Sequence, residues 1–242
     1  MNTNRWPARL VGIFFIVAAV ASIIGLVLYD PILKGSDYLA VGAANGKQIL
    51  LGALMELLLV ISAVGTAVTM FPVLRAQSER IALWHLCFRF LEAVVITVGI
   101  ISVLALLTLG RAYSAEPAPD RAAYMAVGTA LRAIHDWTFL LGPNFMLGIN
   151  TIMYSFLFFR SGLVPRWLAT LGMAGATLVF VAALLELFGV IEQISLWGAL
   201  LSIPVALNEM SLAVWLLARG FNTPKSTSDA PRTPANELLR PA

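Results

Sequence analysis

The stretch Ile81–Leu109, IALWHLCFRFLEAVVITVGIISVLALLTL, decides how this chain is read. It exceeds the ~20 apolar residues that cross a hydrocarbon core of ~30 Å. Yet it holds His85, Arg89 and Glu92 at i, i+4 and i+7, which is one face of an α-helix. Glu92 lies a third to half of the way along it, and an ionisable group at that depth costs at least ~2.5–3.5 kcal/mol on insertion scales. Such a face turns to the interior of a bundle and finds partners there. The stretch is predicted to be a membrane-spanning helix with a polar seam, and other helices must hide that seam.

Working outward, further apolar runs supply those helices: Leu10 to Tyr29, Ile49 to Phe71, Phe145 to Phe159, Trp167 to Phe188 and Leu196 to Leu217. Between them fall Asp30-Pro31, Phe71-Pro72, Gly110-Arg111, Gly162 with Pro165, and Gly189, all turn-forming signals. The runs are predicted to be helical, because a span in lipid satisfies its backbone hydrogen bonds internally and no dyad alternation of a barrel is present. Arg5 and Arg9 with Ala19-Val20-Ala21 imitate a cleavable secretory signal, but the apolar run continues through Leu28, so it reads as a span. Hydrophobic residues make up 60% of the chain and charged ones only 12%, too few for a water-soluble surface. The expected fold is therefore an all-α, polytopic transmembrane helix bundle of about six spans. No composition break divides it, so residues 1–221 form one transmembrane domain. The proline-rich polar residues 222–242 are expected to be a disordered cytoplasmic tail.

Orientation follows from Lys and Arg near the span ends. Arg5, Arg9, Arg75, Arg80, Arg160, Arg166, Arg219 and Lys225 fall on one side, and Lys34, Lys47, Arg111 and Arg121 on the other. The first side is expected to be cytoplasmic, with both termini there, and Trp6, Trp84, Trp167 and Trp215 mark its interface. The formal net charge of +3 comes from these flanking residues, which meet anionic lipid, so membrane lipids are the expected partners and nucleic acid is not. The stretch Arg121 to Leu141 resists the scheme, since only Gly142-Pro143 separates it from the next run. It is expected to be an outer or re-entrant segment, or the outer part of one helix kinked at Pro143, because ~40 continuous residues would reach ~60 Å. Cys87, the lone cysteine, is read as a small buried hydrophobe and rules out an internal disulfide.

The candidate ligand-binding residues are those placed at bilayer depth: Glu56, Arg89, Glu92, Asn150 and Glu209, with Arg132, His135 and Asp136 at i, i+3 and i+4 on the outer segment. Two arrangements are open to them. They can line one polar cavity, with Arg89 holding an anionic group and Glu92 or Glu209 serving as counter-charge or proton site. Or they can pair off as structural glue, Arg89 with Glu92 or Glu209 and Arg132 with Asp136. Glu186 is near a span end, where a carboxylate reaches the interface. Two histidines on different segments build neither a zinc triad nor bis-histidine haem ligation, so no metal and no cofactor are expected. No Gly-x-Ser-x-Gly elbow, Walker loop, dinucleotide fingerprint or HExxH pair occurs.

Three stretches carry a resemblance: Phe88-Arg89-Phe90-Leu91-Glu92-Ala93, Ile134 to Gly142 with His135-Asp136, and Phe158 to Leu168 with Arg160-Ser161-Gly162 and Pro165-Arg166-Trp167. Together they resemble a bacterial integral membrane family known as domain of unknown function 4386, over nearly the whole chain to about Phe221. The resemblance implies a multi-pass helical protein of the bacterial inner membrane and carries no established activity. Members often have Gly-x-His in the fourth span where this chain has Gly148-Ile149-Asn150, which removes a third imidazole. The expected role is non-enzymatic: binding or translocating a small polar or lipid-like ligand. The rivals are an intramembrane lipid hydrolase, with His135 as base and Asp136 orienting it, and a structural or regulatory membrane subunit.

Overall fold

In a computed structural model describing residues 5–193 and 195–222, every apolar run closes its backbone hydrogen bonds as a helix. The elements are α1 (Arg5–Leu28), α2 (Asp30–Leu33), α3 (Tyr38–Ala44), α4 (Gly46–Arg75), α5 (Glu79–Ala115), α6 (Arg121–Phe139), a π-helical segment (Leu140–Met146), α7 (Leu147–Ser161), α8 (Arg166–Leu187) and α9 (Leu196–Ala218). There is no strand among the described residues. Five helices, α1, α4, α5, α8 and α9, are long and apolar enough to cross a membrane. Their outward faces carry exposed Ile23, Ile61, Phe90, Ile101 and Val214, a surface suited to lipid and costly in water. The chain is a multi-pass membrane protein.

The remaining expected span behaves differently. α7 has fifteen residues, ~22 Å of rise, and falls short alone. It continues the seven-residue π-helical segment, and the helical path runs without a break from Arg121 to Ser161. Gly142-Pro143 is therefore not a turn. Pro143 has no N–H and its ring crowds the preceding turn; the wider winding of a π segment accommodates both effects. The path lies antiparallel to α5, which has 37 residues. Thr138 meets Gly99, Gly142 meets Ile96, Asn150 meets Glu92, and Tyr154 meets His85. At ~1.5 Å per residue both rods are about 55–60 Å long, well beyond the hydrocarbon thickness.

Their surplus length forms a cap on what we term the distal side. There Tyr29, Ile32, Tyr38, Leu39, Ile49 and Leu106 are buried together, with Tyr124 and Leu131 of α6 packed on them. Gly110 is required at this joint, because a Cβ would sit 2.5 Å from the Leu39 carbonyl oxygen. Asp120 caps α6, its side chain accepting from the Ala122 and Ala123 backbone N–H at 3.1 and 3.3 Å. The Tyr124 hydroxyl donates to Glu116 at 2.9 Å, and that contact raises its pKa above the ordinary tyrosine value.

Both described chain ends lie on the opposite, terminal side. A second apolar cluster there joins Phe15, Met70, Leu74, Phe158, Leu168 and Leu212. Asn222, expected to open a disordered tail, is instead held: its backbone N–H donates to the Leu163 carbonyl at 2.8 Å and its side-chain amide to that of Gly162 at 3.0 Å. The rest of the tail lies outside the described residues. Trp6, Trp84 and Trp167 are exposed at this end, as an interfacial belt requires. Cys87 is exposed and not buried, because it falls on the far side of α5 from the seam of His85, Arg89 and Glu92. In cross-section the contacts close a ring, α1 to α4 to α5 to α7 to α8 to α9 and back to α1.

Candidate functional site

Between the two apolar clusters the ring surrounds a cavity of about 240 Å³ that is open to one side. The α5 seam supplies one wall at helical spacing: Arg89, Glu92, Ile96 and Gly99 all line it. Gly99 lets α6 come close, since a Cβ there would stand 2.6 Å from the Thr138 hydroxyl. α1 gives room with Ala18, Ala19 and Ser22, while α4 adds Glu56, α6 adds His135 and α9 adds Glu209. Phe15, Leu26, Leu59 and Phe139 make the rest of the lining largely apolar.

The floor is an ion pair. Arg89 Nη1 donates to both carboxylate oxygens of Glu92 at 3.0 Å, and Asn150 Nδ2 donates to Glu92 Oε2 at 2.6 Å. The Arg89 and Glu92 side chains are only 6% and 4% exposed. The pair forms because i and i+3 on one helix bring the groups together, and α7 adds the amide from outside the cavity. The Nη2 and Nε groups of Arg89 have no hydrogen-bond partner among the described residues. Glu209 makes no hydrogen bond or ion pair among them but lies within the field of Arg89, and Glu56 lies beside the Tyr29 hydroxyl and His135; both line the same space.

At the distal end of the cavity His135 is 6% exposed and stands edge-on to Tyr29 with ring centroids 6.0 Å apart. Its Nδ1 contacts Asp136 at a long 3.4 Å, and the Asp136 side chain is 65% exposed. The eight candidate residues thus divide. Glu56, Arg89, Glu92, His135 and Glu209 line the cavity, and Asn150 touches Glu92 from behind it. Asp136 points away, because the next residue of a helix lies about 100° round the axis. Arg132 is one turn higher, where the cavity has given way to the cap; its guanidinium stacks over the Tyr38 ring at 4.7 Å and forms no ion pair with Asp136. The anion-holding role expected of Arg89 is narrowed, since Glu92 occupies one edge of the guanidinium. Glu186 is held by Asn144 of the π-helical segment at 3.0 Å and does not line the cavity.

Sequence reasoning missed a polar layer beneath the floor. His85 Nδ1 and Nε2, Asn150 Oδ1 and Thr151 Oγ1 are buried without a partner among the described residues. His85 stands edge-on to Tyr154 with centroids 5.8 Å apart, and Asn208 Nδ2 approaches the Tyr154 hydroxyl at 3.5 Å. His85 carried a signal through its place on the α5 seam and Asn150 through its depth in its span, while Thr151 and the contact between Tyr154 and Asn208 carried none. No group of at least three His, Cys, Asp or Glu residues placed to hold a metal ion occurs among the described residues.

A family model described as Domain of unknown function (DUF4386) matches residues 10–220 of the chain, which takes in every membrane helix apart from the first turn of α1 and every residue lining the cavity. No curated protein and no solved structure matches.

Proposed function

The chain belongs to the DUF4386 family, and we propose that it binds or translocates a small polar or lipid-like ligand in the charged cavity within its membrane bundle. The observation that carries this reading is the convergence of Glu56, Arg89, Glu92, His135 and Glu209 on one cavity, with Glu56 and Glu209 outside any ion pair. A scaffold has no need of such a space. Charges in a bundle that serve only as glue neutralise one another and close up, as Arg89 and Glu92 do here. We place the protein in the bacterial inner membrane with both termini cytoplasmic, on the strength of Arg5, Arg9, Arg75, Arg80, Arg160 and Arg166 at the terminal side.

The reading is non-enzymatic. A lipid hydrolase finds some support in the contact between His135 and Asp136, but the hydroxyls lining the cavity are engaged elsewhere: Ser22 donates to the Ala19 carbonyl at 3.0 Å and Thr138 to that of His135 at 2.8 Å. The test uses purified protein. Mass spectrometry of wild type is expected to find a compound retained in stoichiometric amount, and Ala19→Trp, which fills the cavity from α1, is expected to lose it while remaining folded. Wild type free of any retained compound, together with an Ala19→Trp variant that is more stable because a dry void has been packed, would overturn the proposal. Fatty-acid release from vesicles that disappears in His135→Ala would replace it with the hydrolase.

A further inference from the structure

We infer that the ligand is an amphiphile with a zwitterionic head, its anionic group on the free edge of Arg89 and its cationic group against Glu209 and Glu56, with an apolar tail leaving sideways past α1. This rests on the cavity reading above and adds to it the chemical class and the route.

The argument begins with charge. Glu56, Glu92 and Glu209 face a single arginine and a single histidine, and Glu92 already neutralises Arg89. The two carboxylates left over sit in a water-poor bundle, where a carboxylate without a counter-charge is driven toward its neutral form and a cationic partner restores its charge. A simple anion leaves these two groups without a counter-charge. A simple cation leaves another donor idle: Arg89 is 5% exposed, lines the cavity, and uses only Nη1 within the protein. Its remaining N–H groups form the planar, bidentate edge that suits a phosphate or carboxylate. A head carrying both signs satisfies both observations.

The tail follows from the wall. Ile23 and Leu26 of α1 line the cavity and are also 66% and 36% exposed on the lipid-facing surface, so the space meets the bilayer there. On the terminal side α1 is closed against α9, where a Cβ on Gly12 would lie 2.9 Å from the Ala213 carbonyl oxygen. The opening is thus lateral and in the distal half. A cavity of about 240 Å³ suits a compact head and leaves little room for a long chain beside it.

The test compares three probes that share a dodecyl chain and a fourth that has none: dodecylphosphocholine, dodecyltrimethylammonium, dodecyl phosphate and glycerophosphocholine. Binding to the full chain in maltoside is measured by displacement of radiolabelled dodecylphosphocholine. Saturable binding of dodecylphosphocholine is expected, with the single-charge amphiphiles on the order of tenfold weaker and glycerophosphocholine weaker still. Arg89→Lys keeps the charge that pairs with Glu92 but loses the planar edge, and is expected to remove the preference over dodecyltrimethylammonium. Glu209→Gln is expected to remove the preference over dodecyl phosphate. Equal binding of all three dodecyl probes, or tightest binding of a singly charged one, overturns the zwitterionic head and leaves the cavity reading standing. Glycerophosphocholine matching its dodecyl counterpart overturns the lateral tail and identifies a soluble head group. Failure of every probe to bind wild type, joined with absence of any retained compound, removes the cavity reading as well.

Discussion

Replacing Glu92 by Gln leaves Arg89 as a cation inside the bundle with one fewer counter-charge, and its cost follows from the geometry. Both Nη1 to carboxylate distances are 3.0 Å and the side chains are almost fully enclosed. Removing one partner of such a pair costs about 3–5 kcal/mol, because the other is left buried and uncompensated. The lower end applies here: glutamine keeps an oxygen for the Asn150 amide, and Glu209 lines the same cavity as Arg89. For a chain of this size about 3 kcal/mol corresponds to a fall in Tm on the order of 10 °C. Thermal unfolding of purified Glu92→Gln, followed by circular dichroism, reads it directly. The double variant Arg89→Met with Glu92→Leu removes both charges, and is expected to recover most of that loss. A single variant within a degree or two of wild type, or a double variant worse than the single, would refute the account of the floor as a closed, mutually dependent pair.

Other outcomes are as definite. Gly110→Val drives side-chain atoms into the Leu39 carbonyl and is expected to cost about 2 kcal/mol or more by overpacking, seen as a lowered Tm and faster hydrogen exchange in α3. Gly175→Leu acts likewise between α8 and α9, where a Cβ would be 2.6 Å from the Val205 nitrogen, and is expected to reduce the yield of folded protein on size exclusion. Glu186→Ala frees the Asn144 amide and costs about 1–3 kcal/mol, with faster hydrogen exchange concentrated in Leu140–Met146. Cys87→Ser changes Tm by an amount equivalent to less than about 0.5 kcal/mol, because the side chain faces out of the bundle.

The helices were legible because lipid leaves an apolar run of ~20 residues no other way to satisfy its backbone. The α5 side of the cavity was legible for a related reason: a charge is tolerated at that depth only on an inward face, so Arg89 and Glu92 declared their direction. Arg132 and Asp136 did not, since α6 is not apolar enough for its charged residues to be forced onto an inward face. Cys87 and the Asn208–Tyr154 contact were equally silent, because neutral side chains at helical spacing serve packing, lipid or a polar layer alike. Of the two readings open at Gly142-Pro143, an outer segment or one helix running through Pro143, the second holds. A proline marks a missing donor, and a continuous helix can absorb that by winding more loosely.

That loose winding sets which way α7 faces. Counting on from Thr138 and Gly142 in regular α-turns, the next inward positions would be Met146, Ile149 and Met153; the wound-out segment advances the phase by one residue and presents Leu147, Asn150 and Tyr154 instead. Asn150 reaches Glu92 only because of this slip. The register of the long rod is thus fixed to the residue: the same seven residues wound as a regular α-helix would aim Ile149, not Asn150, at the carboxylate.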